Sequence, residues 1–247
     1  PYAPEYVFVT RQVGLIHQLD GEQKEDIADF KLAEQAFQKA ADAVSKKYKP
    51  EAYGDLKLRI GNVRQKIAFR SGNGEDFVSA MTAYRDSLSV LKPAKDADKW
   101  ADAVNGLART MQLFSSYSTK TTLLKKAVEL YERELTVLDR DEKPLLWARA
   151  SNNLASALFL LSEREGDNPA LLHRAVEVFS DALAVYDKLG AEKMANVAHN
   201  NLKRAEKALA ETERELEAKQ NWLDDLLDDD APLTFEKIEL ADDLKDE

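Results

Sequence analysis

The stretch LHRAVEVFSDALAVY, residues 172–186, decides the fold. Ala175, Phe179, Leu183 and Tyr186 recur at the spacing of one helical face with charged residues between them, the pattern of an amphipathic helix. The same order of small, aromatic and apolar residues stands in LKKAVELYERELTVL from Leu124, VSAMTAYRDSLSV from Val78 and LAEQAFQKAADAV from Leu32. The alanines are Ala33, Ala80, Ala127 and Ala175, the aromatics Phe37, Tyr84, Tyr131 and Phe179, and successive copies lie 47, 47 and 48 residues apart. Copies at a near-constant interval predict equivalent helices in a repeat architecture.

A second helix precedes each of these. Its apolar anchors are Leu15, Val63, Leu107 and Leu154, with a fifth copy at Leu202. Seven residues before the anchor stand Trp100, Trp147, Leu56 and Phe8. Pro4, Pro50, Pro93 and Pro144 fall just ahead of these helices, where a missing amide hydrogen costs least. Turn-rich pieces separate the two helices of each unit: DGEQKED from Asp20, SGNGED from Ser71, SSYSTKT from Ser115 and EREGDNP from Glu163. Strand signals are absent. A lone hairpin would leave its apolar stripe half exposed, so the units must stack as an all-α solenoid with helices of roughly 16 to 20 residues, about 24 to 30 Å long.

WARASNNLASAL (147–158) followed by AVEVFSDAL (175–183) resembles the tetratricopeptide repeat family, and the NNLA wording (152–155) is similar to the long-repeat variety seen in kinesin light chains and many bacterial repeat proteins. The resemblance covers about residues 5–215 and implies a right-handed α-solenoid of antiparallel helix pairs that binds peptides on its concave side. The period departs from the usual pattern of about 34 residues. Ala108 and Ala155 match the family's small residue after the anchor, whereas Arg64 and Lys203 stand there in the second and fifth units. The reading divides the chain into a repeat domain, residues 1–220, and an acidic tail, 228–247. The units run 5–48, 50–92, 94–140 and 143–189, followed by a long capping helix over 191–227.

Composition narrows the function. The chain has 247 residues, 44% apolar and 32% charged, and a net charge of −10, which the end of the chain accounts for. Residues 211–247 hold 15 acids and 4 bases, while residues 1–210 hold 30 acids and 31 bases. A neutral body of mixed sign has no concentrated positive field for a phosphate backbone, so no nucleic-acid partner is expected. No apolar run reaches the length of a membrane-spanning helix, and no membrane insertion is expected. With no cysteine there is no thiol nucleophile and no cysteine-ligated metal. His17, His173 and His199 are dispersed. Ser71-Gly72-Asn73-Gly74 has no preceding strand and no following Gly-Lys-Ser/Thr, so it reads as a turn and not a phosphate loop. The expectation is a non-enzymatic protein without cofactor or metal. Cytoplasmic residence is the default expectation, and the start at Pro1 reads as a processed chain or a fragment.

Candidate binding residues cluster around the anchors. Asn62, Asn105, Asn152, Asn153, Asn200 and Asn201 occupy one register of successive first helices, where amides can pair with an extended peptide backbone. The alternative is that they bridge adjacent repeats or cap backbone groups. Arg109 and Arg204 stand two residues after the anchor, with Gln65 in the second unit, and Arg149 lies on the turn before Asn153; the cations either engage a carboxylate or belong to a solvated face. In the tail region Trp222, Leu223, Leu226 and Leu227 share one face, and Phe235 and Ile238 follow among acids, as either a short docking motif or incidental hydrophobes. Two readings follow: a scaffold or adaptor gripping a protein or peptide in the groove, and a regulatory or assembly subunit whose residues 222–247 are the docking or self-occluding motif. Self-association through Leu202, Leu209, Leu216 and Leu223 is the lesser expectation.

Overall fold

The structure, a computed structural model, describes residues 4–117 and 120–227, with side chains as far as residue 225. The described residues form nine α-helices and no strand: α1 (Pro4–Lys24), α2 (Ile27–Asp42), α3 (Pro50–Ser71), α4 (Gly74–Leu88), α5 (Ala97–Ser115), α6 (Thr122–Leu135), α7 (Pro144–Arg164), α8 (Pro169–Lys188) and α9 (Glu192–Leu227). No described helix is long and apolar enough to cross a membrane.

Local chemistry starts and stops these helices. Proline opens α3, α7 and α8, its fixed φ suiting the first turn. Asp26, Asn73 and Asn168 cap α2, α4 and α8 by accepting amide hydrogens from Ala28, Glu75 and Ala170 at 2.9, 2.9 and 3.1 Å. After α3 the chain reverses through Gly72 at φ +65°, whose N–H donates to the Ala68 carbonyl at 2.9 Å. Gly72→Ala is expected to lower the free energy of unfolding by about 1 kcal/mol, read as a fall in urea midpoint at unchanged slope.

One turn is shorter than its composition implies. DGEQK continues α1 as far as Lys24, leaving a connection of two residues, Glu25 and Asp26. The reason is packing: Gly21 lies inside the helix against the Phe30 ring, so that glycine gives close approach between helices and not a bend.

Each helix packs on the next along the chain, and α3 also meets α5, α5 meets α7 and α7 meets α9. Second helices make no comparable contact with one another among the described residues, so the stack closes toward its first helices and their face is the inner one. Ala33, Phe37, Ala80, Tyr84, Ala127, Tyr131, Ala175 and Phe179 are all buried, as are Val63, Leu107 and Leu154. Four apolar clusters together span the stack from α1 to α9. Phe8 differs from its counterpart Trp100: it is exposed, and Val7 takes the inward place because α1 has neighbours on one side only.

α9 covers the far end. Its 36 residues span about 54 Å. Ala195, Ala198, Ala205 and Thr212 face α8 and α7, with Leu202 and Leu209 beside them, while Leu216 is exposed.

Candidate functional site

The amides and cations singled out by the repeat register lie on successive first helices and on α9, and five of the ten are occupied within the fold. On α3, Gln65 Nε2 donates to the Gly106 carbonyl at 3.0 Å and to Thr110 Oγ1 at 2.7 Å, both on α5. Asn62 Oδ1 accepts from the Tyr84 hydroxyl at 2.9 Å. Asn153 Nδ2 on α7 donates to Asn105 Oδ1 on α5 at 3.5 Å, and Asn105 Nδ2 passes a hydrogen bond to Glu134 Oε2 at 3.4 Å. Arg149 reaches back to Asp102 at 2.8 Å and lies 3.8 Å from Glu134. These side chains link α5, α6 and α7 into one polar network between repeats.

Glu134 is the residue that sequence reasoning missed. It is fully buried on α6, and burial pushes its carboxyl up to about 8 against the pull of Arg149 and the hydrogen bond from Asn105. A signal was present: three residues after each repeat aromatic stand Ala40, Ser87, Glu134 and Ala182. All four are buried. An acid in a column of small core residues marks a buried carboxyl. Burial likewise raises the phenols of Tyr84 and Tyr131, each near the Arg109 guanidinium.

The remaining candidates are less consumed. Arg109 and Asn200 are exposed. Asn152 Oδ1 is buried with no hydrogen-bond partner. Between α7, α8 and α9 lies a small cleft of about 110 Å³, lined by Ser156, Phe159, Leu160, Phe179, Asn201 and Arg204. The Arg204 guanidinium stands 5.3 Å over the Phe159 ring, a placement that keeps its outer edge available to an acceptor. Trp222 and Leu223 are half-buried on α9; Leu226 and Leu227 belong to the helix without described side chains, and Phe235 and Ile238 lie outside the described residues.

Three potential metal ligands converge elsewhere. His17 and Asp20 of α1 and Asp29 of α2 offer ligand atoms within 4.8 Å of one another. The two carboxylates already share the Lys24 ammonium, at 3.6 Å from Asp20 and 3.3 Å from Asp29, which offsets one of their two charges.

The arrangement defines a stacked helix-pair repeat protein with a polar seam along its inner face. No family model matches the sequence, and no curated protein matches it. Among solved structures the chain is similar to the DHF119 filament, at 16% identity over 87% of this chain and 96% of that one with a TM-score of 0.36. It is also similar to the de novo designed helical repeat protein DHR64, at 18% identity over 88% and 97% with a TM-score of 0.35.

Proposed function

We propose that the chain is a non-enzymatic, tetratricopeptide-like scaffold that binds a peptide segment of a partner protein along the inner face. The observation that carries the reading is the unequal use of the amide register. Gln65, Asn105 and Asn153 are engaged in holding repeats together and Asn62 in fixing α3 to α4, whereas Asn201 and Arg204 line the Phe159 cleft at the α7–α9 seam, open to a ligand. The Asn201 amide at the cleft can give and accept hydrogen bonds with a peptide backbone. Arg204 suits a carboxylate one or two residues along. The binding end is therefore the C-terminal half of the stack, and the favoured ligand is an extended peptide with one apolar side chain next to an acid.

Selection of a random peptide library on the immobilised full chain should return sequences of that kind. For a peptide so selected, Arg204→Ala is expected to weaken binding about tenfold or more, and Asn201→Ala by a similar factor, with the melting curve unmoved. Selected peptides whose affinity survives both substitutions would place the binding face elsewhere.

A further inference from the structure

Residues 6–19 of α1, YVFVTRQVGLIHQL, carry apolar side chains around the whole circumference of the helix. One side is spent inside the fold: Val7 is buried, and Gly14 and Gly21 let Phe37 and Phe30 of α2 approach closely. The opposite side presents Tyr6, Phe8, Val9, Val13, Ile16 and Leu19, each between 40% and 64% exposed. A helix apolar all round belongs between neighbours on both sides, and α1 has them on one.

The two ends of the stack differ in this respect. At the far end α9 turns alanines inward and sets Lys193, Lys207, Glu211 and Arg214 in solvent, with Met194, Val197 and Leu216 as exposed apolar exceptions. That end is capped by a largely polar face, as solenoids require; the α1 end is not. Exposed Leu32 of α2 extends the patch, across a cleft of about 350 Å³ between α1 and α2. Among the described residues lining that cleft there is one lysine, Lys39, and no carboxylate.

We infer that this face is the interface of a two-fold homodimer, α1 of one copy packing antiparallel on α1 of a second. Charge decides against the chain's own acidic segment 228–247 as occupant, since a wall with a single lysine repays few of its carboxylates. The surface instead complements itself, apolar against apolar, and an isologous contact closes after two copies. Six large side chains about half exposed offer on the order of 500 Å². With Leu32 and the flanking polar groups, two copies cover about 1,200 Å², the lower bound of specific interfaces. A two-fold axis near Val13 brings Tyr6 of one copy to Asp20 of the other, where the phenol can donate to the carboxylate.

Light scattering on the full chain at about 100 µM should give a mass of about 56 kDa, twice the 27.8 kDa of the monomer. The double substitution Val9→Glu, Ile16→Glu, at sites already more than half exposed, sets like charges against each other across the two-fold and should restore the monomer mass and raise the dimer Kd at least 100-fold with the helical circular dichroism unchanged. Because the chain has no cysteine, Val13→Cys gives an independent reading. It should oxidise to a disulfide-linked dimer, while Glu217→Cys on exposed α9 should not. A monomer at about 100 µM overturns the inference. So does a dimer that persists in the double variant, or a Val13→Cys chain that cross-links no better than the α9 control.

Discussion

Tyr84→Ala is expected to lower the free energy of unfolding by about 4 kcal/mol, seen as a large fall in urea midpoint. The ring is fully buried and lies between two first helices, held by glycine on each side. A Cβ on Gly61 of α3 would come within 2.7 Å of it, and one on Gly106 of α5 would overlap ring carbons Cε1 and Cζ. Truncation opens a cavity that two glycine backbones cannot fill, and it strands Asn62 Oδ1 without the hydroxyl that now donates to it at 2.9 Å. Gly106→Ala, from the other side of the same contact, should cost about 1 to 3 kcal/mol by overpacking. The double variant is the sharper measurement. An alanine methyl at residue 106 enters the space the ring has left, so the pair should be less destabilised than the sum of the singles. Strict additivity would mean that Tyr84 and Gly106 do not share the contact described.

The second large effect is a dependence of stability on pH that originates in Glu134. Its folded-state carboxyl is raised to about 8, while in the unfolded chain it titrates near 4.5. Between those values the folded protein holds a proton that the unfolded chain has released, so this group's contribution is greatest below about 4.5, declines as pH rises, and levels off above about 8. The full decline is on the order of 5 kcal/mol, from about 1.4 kcal/mol per unit. Glu134→Gln keeps an acceptor for Asn105 and removes the titration. The variant should match the parent at pH 5 within about 1 kcal/mol and exceed it by several kcal/mol at pH 9. Parallel stability profiles of parent and variant across that range would show that Glu134 is not titrating in the window. The surface pairs, such as Lys99 with Glu51, are common to both proteins and cancel in the comparison.

The parts of this molecule that the sequence made legible are those governed by period. Ala175 and Phe179 are four residues apart, one helical turn, and any helix containing them turns both to one side; the buried pairs in α2, α4, α6 and α8 follow from that geometry alone. Prolines before α3 and α7 are equally local, since a fixed φ acts on its own turn. The capping role of α9 was legible because a helix with alanines on one side and lysines and glutamates on the other has a single way to face.

What period could not convey is which neighbour each polar atom meets. Asn105 and Asn152 read alike along the chain, yet one is engaged by Glu134 and Asn153 and the other leaves its carbonyl unpaired, because rotation of a helix against its neighbours, not spacing along it, decides where an amide ends. Gly21 reads as a turn residue and serves as a seat for Phe30, since only the approach of α2 gives a missing Cβ its use. The amphipathic helices, their order and their inward residues were thus determined by the sequence itself through the 3.6-residue turn. The tertiary structure alone decided which groups meet the Glu134 carboxyl, the cleft under Arg204 and the uncovered side of α1, because each depends on the distance and angle between elements far apart in the chain.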